Sequence, residues 1–548
     1  MSKYSFRCLL TLFVAVAFML VGCVVDTIPE DVDPPAGNGS GGNWTEKPVG
    51  GKEDPEEDAV EPGDEEPSDE NPEEGSGENP EENPEENPGD EGGDDNTDDG
   101  GDIPSMGGSW TSSDLAWVFD MGALPEIHIS VTEDQWNELL TEYDRDSHTT
   151  HYIHCDAEFE SKGEKYTFDD AGLRLRGNTS RRRPEGNGGE KHKRNNADWH
   201  HCHFTLNLRK FQKDDAHELY NVRKIYLKWH KDDRAYCREL YCYDLFRRFG
   251  VWTAAYTSYC RLWIHVEGDS KPAYYGVYEM IEAIDDNFVK RRKEMFGDHK
   301  HNLWKCSYPA TLNYNDIRNA NIHFDDDSGA TYTYELKSNI ENFSAAKEQL
   351  IEFSRNLTKL QGEEFRKWIS SVCDVELLLR TYAVNVIVGM WDDYWNNSNN
   401  YYIYFNTSDK NDYKFFFIPF DYDNTLGTSS NCGVQSDSGR QDPLNWGNTN
   451  NQPLIGKILQ FEEYRKIYVN ALNELCDPAN DLFYYTHSIA RINGWHSMIR
   501  DYVDNDTGED CEIKDRPASW GNIYDYRLLN VNSSMNFFKV KASSIPSK

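Results

Sequence analysis

Val375–Met390 (VELLLRTYAVNVIVGM), Trp391–Asn400 (WDDYWNNSNN), Tyr401–Phe420 (YYIYFNTSDKNDYKFFFIPF) and Asp421–Gly427 (DYDNTLG) follow one another without a break in the second half of this 548-residue chain. The first segment is apolar at helical spacing and predicts a buried helix. The second crowds two carboxylates and four asparagine amides into ten residues. Tyr401–Phe405 and Lys414–Phe420 are aromatic and β-branched, which predicts two strands joined by a polar turn at Thr407–Asp412. Asp421-Tyr422-Asp423 then opens a new turn on a carboxylate. A helix thus delivers Asp392, and five residues later Asn397, to the foot of a hairpin that returns the chain to Asp421.

Helix, Asp with Asn five residues on, hairpin, and a second Asp starting a turn is also the layout of a protein-kinase catalytic centre. Phosphoryl transfer needs those parts: one carboxylate to accept the substrate proton, and an Asn and a second Asp to hold divalent cations against the triphosphate. Hard oxygen ligands suit Mg²⁺ or Mn²⁺. Asp392 with Asn397 fits the first requirement, and Asp421, with Asp423 beside it, the second. The competing reading is a solvated acidic loop; the hairpin and the Asp-Tyr-Asp turn weigh against it.

Upstream, Pro125–Val131 reads as a strand and Glu133–Tyr143 as a helix. Strands follow over Thr150–Glu160, Glu164–Phe168, Gly172–Arg176, His203–Leu208 and Val222–Trp229. Arg234–Phe249 has helical spacing, and Ser258–Val266 and Tyr274–Tyr278 are strands about a Glu267-Gly268-Asp269 turn. Beyond Asn302 the pattern is mainly helical, over Ser344–Leu360, Gly362–Val372 and Glu462–Leu475 besides the helix already described. The fold class expected is α+β, a strand-rich first part and a mainly helical second.

Several smaller features bear on chemistry. Arg174-Leu-Arg-Gly-Asn-Thr-Ser-Arg-Arg-Arg183 sets amides, hydroxyls and guanidinium groups at a strand turn, which suits an anion; Arg176, Gly177 and Asn178 are the best placed. A polar hairpin paired with the chain's own carboxylates is the equal alternative. His192, His200, His201, Cys202 and His203 cluster near Trp199, but no matching ligand pair for zinc stands elsewhere. Trp391, Tyr394, Trp395 and Tyr401 suggest a sugar-stacking groove or simply core.

The ends of the chain set its surroundings. Lys3 and Arg7 precede an apolar run, Leu9–Leu20, too short to span a bilayer, which predicts a secretory signal. It ends in Leu20-Val21-Gly22-Cys23, similar to a lipobox, so lipid on Cys23 and a membrane anchor are expected. Residues 24–104 hold 30 Asp and Glu against two Lys, with Trp44 their only aromatic. Such a segment buries too little apolar area to fold and is expected to be an extended acidic linker. Of the formal charge of −40, −28 lies there and +2 in the signal, leaving −14 for 105–548. That balance argues against nucleic acid as a partner. Ten cysteines lie beyond Cys23; an exported chain can oxidise them, yet a core of this size needs no staples. Cys237 and Cys242 are not expected to pair with each other.

Five blocks, taken in order, carry a resemblance: Leu173–Ser180, Tyr274–Glu282 (YYGVYEMIE), Tyr334–Lys337 (YELK), Trp391–Tyr402, and Ile418–Asp423 (IPFDYD). Together they resemble the spore coat protein H (CotH) kinase-like family, as a Bacteroidota-type lipoprotein, over nearly all of 105–548. The resemblance implies a two-lobed atypical protein-kinase fold, with a strand-rich lobe of about 105–302 and a helical lobe of about 303–548. It implies ATP and Mg²⁺ or Mn²⁺ as cofactors, and transfer of phosphate to Ser or Thr of exported proteins. Asp392 would be the catalytic base, and Asp421, with Asn397 and Asp423, the metal ligands. Arg176, Gly177, Asn178 and Glu282 would lie at the nucleotide. The slot of the lysine many family members carry falls at Asn207 here; Lys210, Lys228 or Lys337 are the candidates for the phosphate cation, and Arg238 and Glu239 are candidates for the kinase-type ion-pair element or surface charges. The location implied is the bacterial cell envelope, at the outer membrane or cell surface. The alternative is a non-catalytic surface lipoprotein binding protein or glycan on the same fold.

Overall fold

The computed structural model describes residues 111–503, 513–515 and 526–546, apart from 179, 197, 232, 234, 327–328, 410–411, 429–439 and 448–450. The expected signal, Cys23, the acidic linker, Cys432 and Cys511 lie outside the described residues.

Fourteen strands lie among the described residues: β1 Glu126–Val131, β2 Ile153–Ser161, β3 Glu164–Arg176, β4 Trp199–His200, β5 His203–Asn207, β6 Lys224–Lys228, β7 Thr257–Val266, β8 Ala273–Glu282, β9 Asn302–Cys306, β10 Ile322–Phe324, β11 Tyr334–Leu336, β12 Tyr401–Asn406, β13 Lys414–Pro419 and β14 Ile513–Asp515, which pairs with β4. Seven close into a barrel in the order β1-β2-β3-β5-β6-β8-β7, sealed by the parallel pair β1–β7. Alternation explains it. β2 buries Ile153, Cys155, Ala157 and Phe159 and turns His154, Asp156 and Glu160 outward. Leu173 and Leu175, Phe204 and Leu206, and Ile225 and Leu227 continue that apolar lining across β3, β5 and β6. A closed sheet of this kind leaves no unpaired edge. The helix Glu133–Arg145, capped by Thr132 Oγ1 accepting from Gln135 N (3.2 Å), plugs Trp136, Leu139 and Leu140 into the same core.

The residues between these lining positions point out of the barrel. Arg174 lies opposite Thr205 and Thr205 opposite Tyr226; Arg176 lies opposite His203, and Lys228 opposite Glu279. A polar strip therefore covers β3, β5, β6 and β8.

A second, five-stranded sheet has the order β10-β11-β9-β12-β13. Its β9–β11 portion departs from the helical pattern expected beyond Asn302. Strands of three to five residues are too short for periodicity to show. Trp304, Phe405 and Phe415 turn one face onto the helix Phe343–Lys359, with Phe353 and Phe415 stacked at 4.5 Å. Lys305 on β9, with its cross-strand partners Glu335 and Tyr402, turns the other way.

The helices Gly362–Val372 and Glu462–Cys476 match their expected positions, and the helix Tyr485–Val503, interrupted by polar residues, was not foreseen. The helix Arg238–Arg248 is buried on nearly every side and joins the second core: Tyr241 hydrogen-bonds Ser488 (2.7 Å) and Cys242 donates to Thr425 (3.4 Å). A helix all but surrounded by protein belongs inside a core. The α+β content is as expected. Cys155, Cys202, Cys237, Cys242, Cys260, Cys306, Cys373 and Cys476 are all free thiols.

Candidate active site

The centre of the polar strip is Lys228. Its ammonium lies 2.5 Å from Glu239 Oε2, 2.5 Å from Asp421 Oδ1 and 3.0 Å from Asp423 Oδ2. Three elements bring these groups together: β6, the helix Arg238–Arg248 and the turn after β13. Asp233 fixes the start of that helix, accepting from Cys237 N and Arg238 N (both 2.8 Å) and pairing with Arg238 (2.5 Å). The other oxygen of Glu239 accepts from Tyr422 N (3.1 Å), and Tyr243 OH accepts from Asp421 N (3.1 Å). Asp421 has a φ of +62°, a left-handed conformation that Asp tolerates better than most residues. The turn therefore presents both carboxylates on the lysine's side.

One cation among three carboxylates is an unbalanced cluster, and the titration behaviour reflects it. Burial by itself lowers a lysine, but Asp421, Asp423 and Glu239 together raise Lys228 well above its ordinary value. Burial raises Glu239 against the pull of Lys228. At Asp421 the lysine overcomes burial and the carboxyl is lowered. Asp423 is pushed up by burial, with the Asp421 charge adding to it, to about 7. Both Asp side chains are more than a third exposed, at 36% and 42%, so water screens part of this field. Behind Lys228, burial and the Glu239 charge push Glu279 well up toward its neutral form.

Asp392 occupies a cradle of amides. Asn397 Nδ2 donates to Oδ1 (2.5 Å), Asn400 Nδ2 to Oδ2 (2.9 Å), and Asn399 Nδ2 to both oxygens (3.2 and 3.4 Å). Left-handed Ser398 and Asn400 curl the loop around the carboxylate. Burial raises the Asp392 pKa despite these donors, and the Asp421 charge contributes. The neighbouring Asp393 turns into the core, accepting from Asn385 Nδ2 (2.5 Å) and Asn396 N (2.7 Å); burial lifts it to about 7. Asn385 in turn accepts from Tyr422 OH (2.9 Å). One amide in the last turn of the helix Val375–Ile387 thus ties the Asp392 loop to the Asp421 turn.

Most sequence-derived candidates meet here, but not all. Asn207 faces Gly172 and Lys224 and accepts from Arg209 N (3.1 Å); Lys228, on the next strand, is the candidate lysine that meets the carboxylates. Glu239, not Arg238, makes the ion pair with it. Arg176 reaches the same region, its guanidinium 3.9 Å above the Tyr226 ring, with Gly177 (φ +107°) and exposed Asn178 in the turn beyond. Lys210 lies toward the other end of the strip, 4.6 Å above the Tyr152 ring. Lys337 bonds to Asp325 (2.5 Å) and Glu335 (3.1 Å). Glu282 is three residues along β8 from Glu279. Its oxygens are occupied by Arg291 Nη2 (2.6 Å), both terminal nitrogens of Arg292 (2.7 Å each) and Tyr256 N (3.0 Å), a buried structural pairing rather than a ligand site. Of the four aromatic residues expected for a sugar-stacking groove, Tyr394, Trp395 and Tyr401 are 0–1% exposed and fill the core, and Trp391 is half-buried. The histidines do not converge either, since His201 stacks on Trp229 while His203 Nδ1 accepts from Trp229 N (3.1 Å). Tyr243, Tyr422, Asn385 and Lys305 were missed, because only tertiary contact gives them a role.

The donor set fits a hard divalent cation. One carboxylate oxygen each from Glu239, Asp421 and Asp423 lies within 4.8 Å of the others, and Asn397 Oδ1 makes no hydrogen bond. Lys228 sits among the same oxygens, so a cation bound there would compete with the lysine for them. A groove of about 710 Å³ between Met121 and the helix Tyr485–Val503 shares no residue with this site. A family model described as CotH kinase protein matches residues 173–527. The comparison with curated proteins found no match.

Proposed function

The chain belongs to the CotH kinase protein family, and from that premise we propose that it transfers the γ-phosphate of ATP to Ser or Thr of exported proteins, on a two-lobed kinase-like fold. The observation that carries the reading is Lys228 held between Glu239 and the Asp421–Asp423 pair. Protein kinases set a lysine, a helix-borne glutamate and a metal-binding aspartate in this relation. Asp421, Asp423 and Asn397 would hold Mg²⁺ or Mn²⁺, which supplies charge neutralisation and a template for the phosphate oxygens. Lys228 and Arg176 would face the phosphates. Asp392, fixed by three amides and raised in pKa, takes the hydroxyl proton as the substrate oxygen bonds to the γ-phosphorus and the bond to ADP breaks. Tyr422 and Asn385 keep the base and the metal ligands in register.

Anchoring by lipid on Cys23 and residence at the bacterial envelope, on the outer membrane or cell surface, belong to the same proposal and rest on the lipobox-like sequence. Calorimetric titration of MgATP and MnATP into the whole chain, wild type beside Asp421→Ala, tests the reading. Metal-dependent binding that the substitution abolishes supports it. A folded wild type that binds neither nucleotide complex leaves a binding module, whose partner is a protein or glycan.

A further inference from the structure

Most cations between the barrel strip and the second sheet are already committed. Lys228 serves three carboxylates, Lys337 bonds Asp325 and Glu335, and Lys224 pairs with Asp285 at 2.9 Å. Arg176 and Lys305 are not: among the described residues Arg176 makes no ion pair or hydrogen bond and rests on the Tyr226 ring, and Lys305 makes none at all.

The strand register fixes where Lys305 points. On β9 it alternates with Trp304 and Cys306, and Trp304 packs on Phe343 of the helical layer, so Lys305 projects from the opposite face. Its neighbours across the strands are Glu335 and Tyr402. Glu335 is shared with Lys337 at 3.1 Å, so the nearest carboxylate offsets the Lys305 charge only in part. Tyr402 lies within the electrostatic reach of Tyr226 and Arg176, which places this face against the barrel strip. We propose that Lys305 is a second phosphate-binding cation, set across from Arg176 to meet an oxygen of the nucleotide's phosphate chain, an inference that rests on the nucleotide reading above.

Three physical arguments support it. A half-buried ammonium with no partner is unfavourable in the empty protein, and an anionic ligand removes that penalty. Burial lowers the Lys305 pKa, with the Lys337 and Arg176 charges assisting and Glu335 and Asp421 opposing, so the protein's own carboxylates do not fully compensate the buried charge. The charge around Lys228 is negative overall, so phosphate oxygens turned away from the metal need a positive group elsewhere. A lysine on a rigid central strand supplies one as a compact point charge.

The test uses the whole chain as wild type, Lys305→Met and Lys305→Arg, titrated with MgATP and with magnesium tripolyphosphate, thermal unfolding being followed alongside. Met keeps most of the length and removes the charge. The expected result is a loss of about tenfold or more in affinity for both probes, the range for one charge-assisted contact. Arg should restore most of it, and the unfolding temperature of Lys305→Met should not fall. Unchanged affinity of Lys305→Met for both probes, in a wild type that binds them, overturns the role of Lys305 and leaves the nucleotide reading standing. Loss of MgATP affinity alone, with tripolyphosphate unaffected, overturns the phosphate contact. A folded wild type that binds neither probe removes the nucleotide reading, and this inference with it.

Discussion

Two buried charge clusters on one barrel show how differently the same interactions are used. At the end of β8, Glu282 is fully buried with two arginines and a backbone amide on its oxygens, so the acid is more than matched. At the end of β6, Lys228 faces three carboxylates, and the base is outnumbered. Arg291 and Arg292 hold Glu282 below the ordinary range although burial works the other way. In the Lys228 cluster burial lifts Asp423 to about 7. The first cluster is electrostatically closed and has no use for a ligand. The second is left open on two half-exposed aspartates, the condition a cation-requiring site needs before its cation arrives.

The contrast can be broken most sharply at the base. Asp392→Asn should keep the fold and reduce phosphate transfer by about 10²–10⁴-fold, the usual scale for a general base; a rate near wild type removes Asp392 from the chemistry. Arg292→Met tests the closed cluster, since it leaves Glu282 buried with a weakened set of partners. A stability loss of about 3–5 kcal/mol is expected by denaturant unfolding. Lys228→Met should cost less stability, because two of its three carboxylates remain in contact with water and buried Glu239, already raised in pKa, can take up a proton, while nucleotide binding should be abolished. Equal stability losses for the two variants would erase the distinction between closed and open clusters.

Smaller effects sharpen it. His192 has no side-chain exposure, with Nδ1 2.9 Å from Glu185 Oε2 and Nε2 3.5 Å from Asp269 Oδ1. Burial lowers its pKa, but Glu185 and Asp269 raise it on balance. A histidine raised on folding adds stability that is fully present below the unfolded value of about 6.5 and is lost as pH rises through the folded one. The unfolding temperature should therefore decline as pH rises past about 6.5, and His192→Gln should flatten that decline. Tyr422→Phe removes one buried hydrogen bond and should cost about 1 kcal/mol. If Asn385 couples the two loops, that variant also slows transfer more than it weakens nucleotide binding.

What the sequence made legible was local. Asp392, Asn397 and Asp421 could be found because helix, loop and hairpin are contiguous and their spacing is the motif. Lys228 and Glu239 were only candidates, since their pairing depends on barrel register, and a shift from Asn207 on β5 to the next strand is invisible without it. Lys305 left no trace because its strand has five residues, and which way it faces is set by Trp304 meeting a helix far along the chain. Tyr394, Trp395 and Tyr401 misled in the opposite direction. Composition cannot distinguish a ring that stacks on sugar from one that fills a core.

The way the sheets end bears on how the protein behaves when copies of it crowd together. The barrel has no free rim, and β10, at one margin of the second sheet, is three residues long. At the other margin, β13 is met by an isolated parallel bridge from Cys373 to Phe415. The three-residue margin gives a neighbouring molecule little to extend, so among the described residues strand addition in concentrated samples is disfavoured at β10.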